Sequence, residues 1–323
     1  MDNAGFSSPW PDTDAVLAAA EYAAWWERVR PAFLHRLRAH RIGEDMAESL
    51  AAAYLPLAAW VAARKGESTL VLGVNGAQGS GKSTLCDFLG FLLGEAYGYR
   101  VAGFSIDDFY KTRAERERLA REVHPLFITR GVPGTHDADL GLATIRALKS
   151  ASPATSTPLP AFDKGRDDRR PESAWPVFRG RPDILVLEGW CVGTRAQADE
   201  VLTPPVNALE RDEDADGIWR RHANAKLKGE YAELFGELDR LAVLKVPGMA
   251  SVYEWRGAQE RKLAEAGSGD AGFRAMDAGA LRRFIMHYER LTRHNQEEIP
   301  ERADVVLHLD ERRRFARIQV KHR

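Results

Sequence analysis

A short apolar run, Leu70-Val71-Leu72-Gly73-Val74, leads into Gly76-Ala77-Gln78-Gly79-Ser80-Gly81-Lys82-Ser83, and residues 85–97 continue as an apolar, helix-like stretch. A G-x-x-x-x-G-K-S loop between a strand and a helix leaves the chain few choices. It must turn successive backbone N–H groups inward, where they surround phosphate oxygens at the positive end of the following helix. Lys82 can then bridge the β- and γ-phosphates, and the Ser83 hydroxyl can ligate Mg²⁺. Gly76, Ala77, Gln78, Gly79, Ser80, Gly81, Lys82, Ser83 and Thr84 are therefore the expected nucleotide-binding residues.

The rest of the chain is built to extend that unit. Residues 100–106, 183–187, 241–246 and 305–309 read as strands, and helical patterns lie near 82–97, 137–149, 219–239, 250–266 and 277–298. Strands that alternate with helices imply βαβ units and a mainly parallel sheet covered on both faces. The expected fold is thus an α/β, three-layer α/β/α P-loop NTPase domain over residues 67–323, preceded by a helical extension over 1–66. Pro11-Asp12-Thr13-Asp14 reads as the start signal of that extension and Gly66 as its stop. Residues 49–63 are the most apolar stretch, but they are too short to span a bilayer and contain Pro56, so they read as a core-packing helix. Residues 150–160 are rich in Ser, Pro and Thr and read as a surface loop.

Charge and cysteine content narrow the partner. With 46 Lys and Arg against 47 Asp and Glu, the net charge of −1 advertises neither nucleic acid nor an acidic membrane, so a small molecule is expected. Cys86 and Cys191 are too few for a disulfide framework or a four-ligand zinc site and suit a reducing compartment. No basic n-region with an apolar core follows the first residues, so a cytoplasmic protein is expected.

Two strand ends carry acids. Asp107 and Asp108, in Ser105-Ile106-Asp107-Asp108-Phe109-Tyr110, follow the second strand, where α/β sheets bind their ligands. Phosphoryl transfer to an alcohol needs a carboxylate that orients the hydroxyl and accepts its proton, and Asp107 is the candidate. The bland alternative for such a pair is a helix cap and a solvated neighbour. Glu188 follows the third strand, where a P-loop protein places its Mg²⁺-associated carboxylate. Between these acids lie two polar loops, 130–137 and 160–170. Arg130, His136, Lys164 and Arg169 are their candidate substrate ligands, although each charge taken alone could be merely solvated.

Taken in order, G-x-x-x-x-G-K-S, S-I-D-D-F-Y, R-G-x-P-G-T-H-D, the D-K-x-x-x-D-R-type loop, V-L-E-G-W and S-V-Y-E-W-R-x-x-Q-E resemble the D-glycerate 3-kinase group, from about residue 69 to the C-terminus. That group belongs to the P-loop kinases, with phosphoribulokinase, uridine kinase and bacterial pantothenate kinase. The resemblance implies ATP and Mg²⁺, a base at Asp107, metal assistance from Ser83 and Glu188, and substrate contacts from Asp108 and Tyr110 and, within substrate loops spanning 124–182, from Arg130, Thr135, His136, Lys164 and Arg169. It also implies a lid near 250–275 whose Arg256, or failing that Arg261, offsets charge on the transferring group; Arg256 could instead pair with Glu260 four residues on. The Gly267-Ser268-Gly269-Asp270-Ala271-Gly272 run reads as the hinge or tip of that lid, and the basic 310–318 segment resembles the family's terminal hairpin. Phe162 and Gly165 stand where plant-type members carry tyrosine and serine. Rival assignments are a kinase of the same fold for a nucleoside, pantothenate or a sugar phosphate, and a non-enzymatic nucleotide switch or metallochaperone. Against the switch stand the lack of an Asn-Lys-x-Asp signature and of a Cys/His cluster, and an acid pair where a kinase needs its base. The expected activity is transfer of the γ-phosphate of ATP to a hydroxyl of a small hydroxy acid such as D-glycerate.

Overall fold

All seven residues of β1 (Leu70–Gly76) are buried, as a central strand covered on both faces requires. The computed structural model describes residues 9–11, 16–265 and 276–321. In it β1 is flanked by β7 (Ile184–Gly189) and β8 (Arg240–Lys245), both parallel to it. Outside these run β2 (Val101–Ser105), parallel to β7, and β9 (Val305–Leu309), parallel to β8; β10 (Phe315–Val320) turns back antiparallel on β9. The resulting order is β10-β9-β8-β1-β7-β2. The four strands read from the sequence outside the P-loop unit are β2, β7, β8 and β9. The 310–318 segment supplies the β9–β10 turn and most of β10.

Alternation along the strands splits the apolar side chains into two layers. Leu72 and Val74 of β1, Ile184 and Val186 of β7, and Leu307 of β9 face one core. Val71, Leu185 and Leu187 face the other. On the first face lie α1 (Ala19–Ala39), α2 (Ala47–Ala62) and α3 (Lys82–Tyr97), whose Trp60, Phe33 and Phe88 join that core. Phe33 and Phe88 meet with ring centroids 4.4 Å apart, so the N-terminal helices share one core with the sheet. The apolar 49–63 stretch forms most of α2 and is buried along almost its whole length, with Pro56 and its neighbours inside. Within the described residues the first helix starts at Ala19, while 12–14 of the expected start signal lie outside them.

Other helices are α4 (Arg113–Glu122), α5 (Ala138–Ser150) and α6 (Ala208–Glu213). The pattern read as one helix over 219–239 is two, α7 (Ile218–Lys228) and α8 (Glu230–Gly236), because Gly229 at φ −106° and ψ −111° breaks it. Helix α9 (Met249–Glu265), in the stretch expected as a lid, and the long α10 (Ala278–Arg302) follow. The 150–160 loop is not wholly irregular: it contributes β3 (Ser156–Pro158), which pairs with β6 (Val177–Arg179). A second small ladder joins β4 (Phe162–Asp163) to β5 (Asp168–Arg169) and holds the 160–170 loop as a hairpin. The 267–272 run lies outside the described residues.

Candidate active site

The nucleotide loop bridges the end of β1 and the start of α3. Gly79 and Gly81 take positive φ of 78° and 88°, which only glycine adopts without strain. At Gly79 space is short as well, since a Cβ there would lie 3.0 Å from Trp255 Cβ. The first turns of α9 therefore rest directly on the loop. Ser80 Oγ and Gln78 Nε2 are buried without a hydrogen-bond partner, donors left over inside a cradle whose natural occupant is an anion.

Glu188 sits in β7 with Val74 of β1 and Ser105 of β2 as its register neighbours, so the sheet delivers it beside the loop. Its Oε1 accepts a 2.8 Å hydrogen bond from Ser83 Oγ, and Lys82 Nζ lies 3.9 Å from its Oε2. That Oε2 is buried with no hydrogen-bond partner. A hydroxyl oxygen beside an unspent carboxylate oxygen suits a hard cation such as Mg²⁺. Among the described residues no group of three or more His, Cys, Asp or Glu could hold a metal ion, so a cation at Ser83 and Glu188 would draw its other oxygens from phosphate and water.

The second acid is set by a 3-10 turn over Ile106–Phe109. Ser105 Oγ accepts from Asp107 N at 3.2 Å, and Asp108 Oδ2 accepts from Ser105 N at 2.9 Å. Asp108 thus spends one oxygen as the cap that aims Asp107. Lys164 Nζ reaches Asp107 Oδ2 at 2.7 Å, which brings the hairpin loop onto the strand end. Burial alone would raise the Asp107 carboxyl. The charge and hydrogen bond of Lys164, with the charge of Lys82 behind it, outweigh that and hold the group well below the usual carboxylate range. Asp107 raises Lys164 in return. Asp108, by contrast, is raised by burial, with the Ser105 hydrogen bond opposing and the neighbouring Asp107 adding to it.

Behind Asp107 is an aromatic wall. The Tyr110 ring stacks on His136 at 4.4 Å and 17°, and burial, with the charge of Asp107 near by, pushes its hydroxyl well up. His136 is fully buried, which lowers it to about 3 against the opposing pull of Asp107, so it is neutral. Its Nδ1 lies 2.7 Å from the Tyr231 hydroxyl. Arg130 pairs with Asp167 and lies over the Phe162 ring at 5.5 Å. Tyr288 of α10 donates to the Arg130 carbonyl at 3.0 Å.

The expected substrate residues therefore divide. Asp107, Tyr110, His136 and Lys164 come together at one point, with Arg130 near it across Phe162. Thr135 and Arg169 do not offer free groups. Thr135 is buried and donates its hydroxyl to Val132 O at 2.7 Å while accepting from Gly131 N, so it closes its own turn. Arg169 binds the Tyr110 carbonyl and Asp137, tying the hairpin to α5. Arg256 pairs with Glu260 at 2.5 Å on a largely buried face of α9, the alternative its spacing had left open, although its Nη1 stays buried and unpartnered.

Sequence reading missed Tyr231, Tyr288, Asp167 and Arg116. Arg116 lies in a charge-dense helix that looks solvated, yet it is fully buried, donating to Ile128 O and Asp167 O and pairing with Asp167. The tyrosines sit in ordinary amphipathic helices with no local mark. Only the G-W pair after Glu188 gave a signal: Trp190 Nε1 donates to Gly131 O at 3.1 Å, joining the β7 end to the 130–137 loop.

A phosphate cradle, a cation-ready acid and an ionised carboxylate at neighbouring strand ends define a P-loop phosphotransferase. No family profile matches the chain. It is 34% identical over 202 residues to an uncharacterized kinase, mug58, of Schizosaccharomyces pombe, an alignment covering 60% of this chain and 70% of that protein. It is 30% identical over 211 residues to the chloroplastic D-glycerate 3-kinase of Arabidopsis thaliana, covering 63% of this chain but only 43% of that enzyme. The fold matches that of the D-glycerate 3-kinase of Cryptococcus neoformans with a TM-score of 0.67 at 23% identity, over 83% of this chain and 97% of that one. The chain belongs to the D-glycerate 3-kinase-like family of P-loop kinases. It is an ATP-dependent phosphotransferase.

Proposed function

We propose that the chain transfers the γ-phosphoryl group of ATP to a hydroxyl of D-glycerate with Mg²⁺ as cofactor. The observation that carries this is the Asp107–Lys164 pair at the carboxyl end of β2. It joins a carboxylate able to orient a hydroxyl with a cation able to bind a carboxylate. A hydroxy acid carries both complementary groups. Its carboxylate competes for Lys164, with Arg130 near by, while its hydroxyl takes the place of the ammonium on Asp107. Once Lys164 moves to the substrate, burial again dominates at Asp107 and raises its proton affinity as the hydroxyl arrives. A nucleoside has no carboxylate with which to draw Lys164 away.

Lys82 and the loop amides hold the phosphates, and Ser83 and Glu188 hold Mg²⁺, which neutralises charge on the β- and γ-phosphates when bound. Arg256 serves the transferring group once it leaves Glu260. A cytoplasmic location accords with the two unpaired thiols, and no described helix is long and apolar enough to cross a membrane. Cell fractionation tests that location.

The activity is tested by ADP release from ATP and Mg²⁺ across D-glycerate, L-glycerate, pantothenate, uridine and ribulose 5-phosphate, with a no-acceptor control. Stimulation by D-glycerate above the others is expected. A preference for uridine or pantothenate would retain the kinase and remove glycerate as its substrate.

A further inference from the structure

The Tyr231 hydroxyl has three neighbours in the 130–137 loop, and counting its protons settles the state of one of them. Gly134 N and His136 N both donate to it, at 3.0 Å and 3.3 Å. With two N–H groups pointing at the phenolic oxygen, its own hydrogen is directed to the third contact, His136 Nδ1 at 2.7 Å. Nδ1 is then an acceptor, so in the neutral ring the proton resides on Nε2. That Nε2–H is buried and has no hydrogen-bond partner. A buried donor left without an acceptor is costly, and native proteins retain few of them without a use. The Tyr110 ring stacked on His136 prevents the imidazole from turning to relieve the deficit. The Asp107 charge acts on both Tyr110 and His136, and Tyr110 follows Asp107 by three residues, so the donor stands in the wall behind the acceptor carboxylate.

We propose that Tyr231 is a positioning residue that fixes His136 as a neutral Nε2–H donor reserved for an oxygen of the acceptor substrate. It acts from outside the site, through the backbone of the 130–137 loop and through Nδ1 of the imidazole. The reserved donor distinguishes an acceptor with an oxygen at that point from one without. The assignment of a substrate oxygen as its partner rests on the hydroxy-acid activity proposed above; the tautomer does not.

The test is nitrogen-15 NMR of the full chain labelled at histidine, without substrate and then with D-glycerate, ADP and Mg²⁺, together with kinetics of three variants. His136 is expected as the Nε2–H tautomer from pH 8 to pH 5, and its Nε2–H resonance is expected to move on saturation with D-glycerate. The Nδ1–H tautomer or an imidazolium at pH 6 would overturn the proposal, as would an Nε2–H unmoved by an acceptor that the enzyme phosphorylates. Glutamine places its amide nitrogen near Nε2 and asparagine near Nδ1. His136→Gln should therefore retain roughly tenfold more kcat/KM for the acceptor than His136→Asn, the value of one polar contact. Equal or reversed activities would contradict the reserved donor. Tyr231→Phe should raise the acceptor KM about tenfold or more and leave the ATP KM nearly unchanged. A Tyr231→Phe effect confined to melting temperature would reduce Tyr231 to packing. If D-glycerate is inert with the wild-type chain, the glycerate assignment falls, while the substrate-free tautomer still decides the role of Tyr231. If the variants fail to fold, the wild-type spectra decide it alone.

Discussion

In the proposed reaction Lys82 and Asp107 have different tasks, and their variants should fail differently. Lys82→Ala removes the ammonium that spans the transferring phosphates, so turnover should fall by at least about 10²-fold, read by ADP release. Lys164→Ala tests the pair at Asp107. Without the ammonium, burial should raise the Asp107 carboxyl, moving the acid limb of kcat/KM to higher pH by about one to three pH units. An unmoved limb would show that Lys164 does not set the ionisation of Asp107. At this scale the sequence was most informative where chemistry demands a residue type at a fixed place. Lys82, Ser83, Asp107 and Glu188 were all legible as strand-end or loop groups. Thr135 and Arg169 were not legible, because a polar loop residue that serves a substrate and one that closes a turn look the same in one dimension.

The elements carry those residues to each other, and two of them meet at glycines. Gly131 has φ 144°, and a Cβ there would lie 2.2 Å from the Tyr288 hydroxyl of α10. Gly131→Ala should therefore lower stability by about 1–3 kcal/mol in urea unfolding and raise the acceptor KM, since the 130–137 loop must withdraw from α10. Preserved stability and KM would mean that the loop yields freely. On α9, Arg256 faces Glu260 instead of the phosphate loop, with its helix seated against Gly79. If α9 releases that pair on binding ATP, Arg256→Ala should cut kcat by about 10²-fold or more. A fall in melting temperature with kcat retained would make Arg256 a packing residue. Helices α3, α5, α9 and α10 were legible from their apolar period. The break at Gly229 and the short ladders β3–β6 and β4–β5 were not, since pairs of two or three residues leave too little period to detect.

Across the whole molecule the sheet brings the nucleotide loop, Glu188 and Asp107 to one edge, while the N-terminal helices share with α3 the core on one face of the sheet. Burial has a price in acid. His136, His222, His287 and His308 are all lowered by it. Each stays neutral in the folded chain at a pH where its unfolded form, near 6.5, takes up a proton. The unfolded state then binds more protons, so stability is full above about pH 6.5 and declines as pH falls. Asp107 acts in the same direction, but only below about pH 4, where its unfolded carboxyl protonates. For the fully buried His136 the slope is about 1.4 kcal/mol per pH unit, and His136→Gln should remove that share between about pH 6 and pH 4 in denaturant titrations. Parallel wild-type and variant curves would contradict a neutral buried His136.

The parallel order of the sheet followed from strands alternating with helices, but the contacts of Tyr231 and Tyr288 with the 130–137 loop depend on which helices the topology lays beside it. The central claim is that one site joins ATP to a hydroxy acid through Asp107. Phosphorus NMR of ATP, Mg²⁺ and D-glycerate with the wild-type chain and with Asp107→Asn tests it most directly. A new phosphate-ester resonance is expected with the wild-type chain, slowed about 10²–10⁴-fold in Asp107→Asn with nucleotide binding retained. Phosphorylation of D-glycerate at an undiminished rate by Asp107→Asn, or no ester from the wild-type chain, would contradict it.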